Sequence, residues 1–548
     1  MIGADAIVKC LEAEGVEMVY GYPGVAICPF YNSILNTDIH TVLIRTEQNA
    51  AHAASGYARI SGKPGVCCVT SGPGATNLIT GIATAFADSI PLICITGQVD
   101  TQLIGSDVFQ EADITGAVES FVKYSYLIRD VNDIPRVFKE AFHIASTGRK
   151  GPVLIDIPAD IQKETISKFR YPEEVSMRTY KPTVKGNMVQ IKKVAKQLSA
   201  AKRPIICAGG GVILAGAQEK LRLFAEKFGI PVVSTMMGIG VMPSDHPLYN
   251  GMVGNNGRAY ANRAMNESDF LMFIGARVAD RAVSQNGFDA ENKTLVHIDV
   301  DPAEIGKNVG ATIPIVGDVG CILEDLLSLE LTVDSRKWVD TLKDYRKAFA
   351  EYKAGKEKEK QSLDGQVDPS LFVKTLSSLL DEDAVYVADV GQNQIWSCGN
   401  YVMKKGRFLT SGGMGTMGYS IPAAMGAKMA DPSRQVVAVC GDGSFQMSMM
   451  ELATIQQEKV DVKIFVMNNQ VLGMVREHQH FVYKDHFSMI DLSVGSPDLS
   501  KIAEAYGIHY KKITSEKTMK KDIEAFLKKK GCGILECSIL PDEVVRGM

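Results

Sequence analysis

Two short segments in the C-terminal third carry oxygen donors that could hold a metal and a phosphate. Gly441-Asp442-Gly443-Ser444 follows the apolar run Gln435–Cys440, and Asn468-Asn469 closes the apolar run Val462–Met467. Asp442 and Asn469 are 27 positions apart. A strand, a helix and a second strand of that length place both residues at the C-terminal ends of neighbouring parallel strands. Open α/β sheets bind ligands at that edge. An aspartate carboxylate and an asparagine carbonyl are hard donors suited to Mg²⁺, which completes its shell with phosphate oxygens and water. Glycines on both sides of Asp442 let a diphosphate approach the backbone, and the helix start offers N–H donors. Gly-Asp-Gly alone reads as a turn; the asparagine pair at this spacing, each motif after an apolar strand, turns it into a candidate site.

The elements that must position these donors repeat along the chain. Short β-branched runs lead into glycine-rich turns and then into helical patterns. Val66–Thr70 precedes Ser71-Gly72-Pro73-Gly74, Leu92–Thr96 precedes Gly97, and Pro204–Ala208 precedes Gly209-Gly210-Gly211. Near-continuous apolar strands alternating with helices predict doubly wound parallel sheets, an α/β class. Two segments break the rhythm. Phe169–Asn187 mixes charges with two prolines and reads as a linker after the strand Val153–Ile157. Lys343–Pro369 is rich in Lys and Glu and reads as a solvated helix, a linker, or both in sequence. The expected domains are 1–168, 188–340 and 370–548.

Composition narrows the function. The 548 residues are 46% hydrophobic and 22% charged, enough apolar material for several cores. The net charge of -4 gives no basic stripe for nucleic acid. No apolar stretch is long enough for a membrane span. The 11 cysteines are scattered through apolar runs without a CxxC pair, which favours free buried thiols in the cytoplasm over disulfides or a zinc ribbon. His478, His480 and His486 lie close together but fit no common zinc spacing. Gly209–Gly211 after a strand is weak evidence for a dinucleotide.

Gly-Asp-Gly followed after about two dozen residues by Asn-Asn resembles the thiamine-diphosphate signature. The resemblance covers nearly the whole chain. Gly21-Tyr22-Pro23-Gly24, Glu47 through His52, Gly56-Tyr57-Ala58-Arg59 and Thr70 through Asn77 are similar to a pyrimidine-binding domain. Phe109 through Asp113, Gly275-Ala276-Arg277 through Arg281, His297 through Gly306, and Gly473-Met474-Val475-Arg476 resemble the catalytic subunit of the acetolactate (acetohydroxyacid) synthase family.

That resemblance implies roles for single residues. Glu47, expected at the end of a strand Thr41–Arg45, corresponds to the glutamate that hydrogen-bonds N1′ of the aminopyrimidine in the partner subunit's cofactor. At least a homodimer follows, or a homotetramer, with active sites at the subunit interface. Gly24 and Val25 correspond to a loop beside the reacting carbon, where Val25 replaces the family's usual glycine and narrows the approach. Phe109 and Gln110 correspond to residues near the substrate. Gly391, Gln392 and Asn393 match a diphosphate loop, with Asn393 where histidine is common. Gly415 and Met417 match the turn whose apolar residue wedges under the bent cofactor. Gly443, Ser444, Gly473, Met474 and Val475 complete the cofactor set. Asp442, Asn469 and the carbonyl of Val471 match the Mg²⁺ ligands.

Gly209, Gly210, Gly211, Gly257, Gly275 and Arg277 keep parts of an FAD pattern, while Asn255-Asn256 and Val278-Ala279 depart from it. Arg281 is the expected anchor for a second carboxylate. His478 stands where the family has tryptophan, which points to pyruvate as main acceptor. Ala159 replaces a family lysine, and the chain stops at Met548, short of the family's tail, so a more open site is expected. The reaction implied is decarboxylation of pyruvate and condensation with a second 2-keto acid to 2-acetolactate. Alternatives are a pyruvate oxidase, an acyl-CoA lyase or a different carboligase; a non-catalytic binder has no need of Glu47, and a nicotinamide oxidoreductase leaves Gly-Asp-Gly…Asn-Asn unexplained. A small regulatory subunit is common in the biosynthetic branch.

Overall fold

The computed structural model describes residues 1–283, 288, 290, 292–359 and 365–545. Among them are three six-stranded sheets, and every strand pairing within them is parallel. The first holds Met18–Tyr22 (β1), His40–Leu43 (β2), Gly65–Val69 (β3), Leu92–Gln98 (β4), Tyr124–Leu127 (β5) and Pro152–Pro158 (β6). The second holds Pro204–Ala208 (β7), Val232–Ser234 (β8), Tyr249–Met252 (β9), Phe270–Ile274 (β10), Thr294–Asp299 (β11) and Ile313–Val316 (β12). The third holds Val385–Ala388 (β13), Arg407–Leu409 (β14), Val436–Gly441 (β15), Lys463–Asn468 (β16), His509–Ile513 (β17) and Gly533–Ser538 (β18). Central strands such as β3, β4, β7 and β10 are buried along their whole length, as continuous apolar runs covered on both faces must be.

Strand order separates the sheets into two kinds. The first runs β2-β1-β3-β4-β6-β5 and the third runs β14-β13-β15-β16-β18-β17, the same order twice. Each reverses direction between its first and third strands. The middle sheet runs β12-β11-β10-β7-β8-β9, the dinucleotide-fold order, and reverses between β7 and β10.

The expected strands lie within a residue or two of the observed ones, but two local expectations change. The Thr41–Arg45 strand is His40–Leu43, and Glu47 is the first residue of helix Glu47–Ser61 rather than a strand end. The helix expected after the Gly-Asp-Gly turn begins inside it, at Asp442, and continues through a 3-10 turn at Met449–Glu451. Phe169–Asn187 contains no helix or strand, and Arg336–Glu359 is one long helix.

The first and third sheets are joined by two crossing helices, Glu47–Ser61 and Ser420–Ala430. A Cβ on Gly56 would lie 1.9 Å from the Ala423 carbonyl oxygen, and one on Gly426 1.9 Å from that of Ala53. Both positions exclude any side chain, so the backbones meet directly. Gly56→Ala should therefore lower stability by about 1–3 kcal/mol, the usual cost of overpacking, read as a fall in Tm. An unchanged Tm would show that the crossing is looser than drawn.

Candidate active site

Both reversal points of the two like sheets carry the sequence motifs. In the third sheet, Gly391–Asn393 follow β13 and Gly441–Ser444 follow β15. Gly391 has φ +135, a conformation that glycine alone adopts without strain. Met417 reaches across: its Cε lies 3.6 Å from where a Cβ on Gly443 would stand. The loop that carries Met417 is held by Asp389, fully buried at the end of β13. Its carboxylate accepts from the backbone N–H groups of Val390 (2.8 Å), Gly418 (2.9 Å) and Ser420 (2.7 Å).

Asp442 is 5% exposed, and its Oδ2 is buried without a hydrogen-bond partner among the described residues. Burial pushes its carboxyl up to about 6, against the pull of nearby backbone amides. A buried carboxylate oxygen left unpaired is costly, and a hard cation is the partner such an oxygen suits. Asn469 is positioned by a relay. Its Nδ2 donates to Gln392 Oε1 at 3.2 Å, and Gln392 Nε2 donates to Glu477 Oε2 at 3.2 Å and to the Glu543 carbonyl at 2.6 Å. Glu477 Oε2 also accepts from the Val545 N–H at 2.9 Å. A Cβ on Gly473 would sit 2.0 Å from Gln392 Oε1, so any side chain there would displace the relay. Gln470, between Asn469 and Val471, has φ +59, a strained turn at the site.

Two predicted cofactor residues use their side chains internally. Asn393 Nδ2 donates to the carbonyls of Asp389 (2.8 Å) and Val439 (3.2 Å). Ser444 Oγ closes a capping pair with Gly441.

The first sheet presents a second cluster. Glu47 Oε2 accepts from Asn77 Nδ2 at 3.1 Å, and its Oε1 lies 3.4 Å from where a Cβ on Gly74 would stand. Gly24 packs on Thr70, whose Oγ1 is buried and unpartnered. Gly72 packs on Gln110, which has φ +61. Val25 is 86% exposed and Phe109 is 87% exposed. Gln98 ties down the loop bearing Phe109 and Gln110 by donating to the Ala112 carbonyl at 2.8 Å. Gln98 also donates to Asp156 Oδ2 at 3.0 Å, and burial pushes Asp156 up to about 7.

A cavity of 990 Å³ opens between the three sheets. Gly210, Gly211, Gly275, Arg277 and Arg281 line one part, and Gly391, Gly415, Met417, Met474 and Val475 another. Gly209 and Gly211 donate their N–H groups to Ile274 and Gly275, so the glycine run serves the close approach of the β7 and β10 loops. Gly257 packs on Val253 and stands back from the cavity. Arg281 is exposed, and His478 is exposed with its ring edge-on to Tyr483 at 5.6 Å.

The comparisons with known proteins agree with this geometry. The N-terminal TPP binding domain of thiamine pyrophosphate enzymes matches residues 1–117, the central domain 191–326 and the C-terminal TPP binding domain 389–537. A probable acetolactate synthase large subunit of Methanocaldococcus jannaschii is 44% identical over 100% of this chain and 93% of its own length. An acetolactate synthase of Arthrospira platensis is 42% identical over 99% of the chain and 94% of its own. The chain belongs to the acetolactate synthase family of thiamine pyrophosphate enzymes. A large subunit of Lactococcus lactis in that family is 42% identical over 95% of the chain and 90% of its own length.

Sequence reasoning within the family pattern missed Asp389, Glu477 and Asp156. Each is a buried carboxylate with at least one partner far along the chain, and no local spacing signals that. Asp389→Ala would leave three amide donors unpaired. At about 1–3 kcal/mol for each buried donor, a loss of at least about 3 kcal/mol of stability should appear in denaturant unfolding; a loss below 1 kcal/mol would contradict the bonding seen here.

Proposed function

We propose that this chain decarboxylates pyruvate on thiamine diphosphate and joins the remaining two-carbon unit to a second 2-keto acid, chiefly pyruvate, giving 2-acetolactate. The observation that carries the reading is the unpartnered, buried Asp442 oxygen beside Asn469 at the reversal point of a thiamine-type sheet. When bound, thiamine diphosphate supplies a nucleophilic carbon and an electron sink. The Asp442 carboxylate, the Asn469 side-chain carbonyl and the Val471 main-chain carbonyl would hold Mg²⁺, whose charge would neutralise the diphosphate. Gly391, Gly443 and Gly473 keep the backbone free of side chains there. Met417 would support the cofactor. Glu47 holds a proton at the aminopyrimidine N1′, and Asn77 fixes its carboxyl by the bond to Oε2.

Arg281 orients the carboxylate of the second substrate by a bidentate contact. Val25 restricts the approach, and His478 leaves no large apolar surface for a longer acceptor chain. The cavity between the sheets has the volume of a ligand site, and the middle sheet has dinucleotide order; both support FAD, which Gly210, Gly211 and Arg277 would hold. The outward Val25 and Phe109 beside Glu47 support a homo-oligomer, dimer or tetramer, in which a second copy covers them. The relatives' name, large subunit, supports a small regulatory partner. Among the described residues no helix is long and apolar enough to cross a membrane, and the cytoplasm is the proposed location.

Pyruvate, thiamine diphosphate and Mg²⁺ with the purified chain should yield 2-acetolactate at half the molar rate of pyruvate loss, identified by mass. Pyruvate loss without that product would overturn the reading. With equal 2-ketobutyrate added, 2-acetolactate should remain the main product.

The metal site has its own pH signature. The folded Asp442 carboxyl, at about 6, lies above its ordinary 3.8. In metal-free protein it adds stability below about pH 4, and that stability is lost as pH rises through about 6. A cation needs the ionised form. The Tm gain from Mg²⁺ with thiamine diphosphate should therefore be larger at about pH 7.5 than at about pH 5. Asp442→Asn should raise the metal-free Tm and abolish that gain; a gain that persists would remove Asp442 from the metal site.

A further inference from the structure

Glu451 lies nine positions after Asp442, on the same helical run that starts the metal motif. It is fully buried. All but one of its partners come from the first sheet's unit, more than 400 positions away. The backbone N–H of Arg45 donates to Oε1 at 3.1 Å and to Oε2 at 3.3 Å. Asn49 Nδ2 donates to Oε1 at 3.0 Å. Arg45 and Asn49 stand two residues before and two residues after Glu47. Thr454 Oγ1 donates to Oε2 at 2.7 Å and lies 3.1 Å from the Leu43 carbonyl at the end of β2. Every polar partner on this carboxylate is a donor.

The local chain shows why the elbow needs this anchor. The β1 ladder is extended by one bond, from Ile44 N–H to the Gly21 carbonyl, and Arg45 then has no strand neighbour. Thr46, the residue before helix Glu47–Ser61, makes no side-chain cap. The segment that aims Glu47 is therefore neither strand nor helix, and a carboxylate from the third sheet's unit takes its donors. Arg45 adds a second tie by donating from its guanidinium to Gln457 Oε1 at 3.0 Å.

We propose that Glu451 is a positioning residue for Glu47: it sets the elbow that presents the proton-holding carboxyl, and it couples that elbow to the helix bearing the metal ligand Asp442. The inference rests on the reading of Glu47 given above. Glu451 touches neither Glu47 nor the reacting atoms, so its effect must pass through the backbone from Arg45 to Asn49. In Glu451→Gln the new N–H₂ group at the Oε2 place can donate to Thr454 Oγ1 but faces the Arg45 N–H, which loosens that side of the elbow while keeping size and burial.

The test uses the full-length protein with thiamine diphosphate and Mg²⁺. Exchange of the cofactor's C2 proton into D₂O, quenched in acid and read by NMR, reports what Glu47 promotes without needing turnover. A displacement of about 1 Å at a catalytic group can cost about 100-fold. Glu451→Gln should slow exchange and kcat together by about 10–100-fold, while the Kd for thiamine diphosphate and the KM for pyruvate move by less than about threefold. Asn49→Ala removes one donor to the same carboxylate. It should show the same split at smaller size, and it decides the matter if Glu451→Gln does not fold. Unchanged exchange in these variants, with exchange lost in Glu47→Gln, would overturn the proposal and leave Glu47 in its role. Exchange retained in Glu47→Gln would overturn both. Slower exchange matched by an equal loss of cofactor affinity would also overturn it, by making Glu451 only a structural tie.

Discussion

The contact on which the structure depends is the crossing of helices Glu47–Ser61 and Ser420–Ala430, where two backbones meet without intervening side chains. Glycine at positions 56 and 426 is the condition for it. Around the crossing the chain gathers its interior polar groups. Arg59 donates to Asp88 at 2.8 Å and to the Thr410 carbonyl at 2.8 Å, and Asp88 accepts from Gly412 and Gly413. A buried ion pair is weak evidence for net stability, but this one has each charge matched to backbone groups of the opposite unit. It therefore fixes register between the first and third sheets. Glu47 starts one of the two helices, and Met417 lies in the loop before the other, so the crossing fixes how the two edges sit within one chain.

The charged groups of that seam meet donors or acceptors, although Arg59 Nε has none among the described residues. His52, packed edge-on to Tyr419 at 5.3 Å, finds none for either ring nitrogen. Burial pushes its pKa down to about 3, which keeps the ring neutral at working pH. It acts there as an aromatic filler with the shape the crossing needs. Asp442 is the opposite case: its unpaired oxygen points to a partner that the protein chain does not supply. The same observation, a buried polar atom without a partner among the described residues, goes with packing at His52 and with the proposed metal site at Asp442. The difference lies in what surrounds each: helix faces in one, the open ends of parallel strands in the other.

Much of this was legible in the sequence because parallel strands leave plain apolar runs. Pro204–Ala208 is read to the residue, and the other runs to within one or two. The motifs were legible because strand, turn and helix follow one another closely along the chain. What could not be read depends on partners far away. Thr41–Arg45 has the composition of a strand, yet it ends at Leu43 because the Arg45 N–H is taken by Glu451. Gly441-Asp442-Gly443 looks like a turn, since glycine disfavours helix, yet Asp442 opens the helix because tertiary contacts override propensity. Asp389, Glu451 and Glu477 carry no motif of their own; each is defined by amides brought in by the fold.

The first and third sheets share one strand order, and the molecule uses that repetition asymmetrically. At the reversal point of the third sheet stand oxygen donors and glycines, an arrangement for a cation and its phosphates. At the reversal point of the first stand a carboxyl held by an amide and two exposed apolar side chains. Neither edge is sufficient alone: the third holds a charge but offers no proton-holding group, and the first offers that group with no anchor for a ligand. The chemistry must therefore arise where a first-type edge faces a third-type edge. Glu47 is partly exposed at its edge, with Val25 and Phe109 turned outward beside it. In the proposed oligomer that edge is the one a second copy would cover, with the half bearing Asp442 and Asn469 facing it. The middle sheet, with its different order and its cavity against both, adds a nucleotide-sized space to this pairing without supplying either edge.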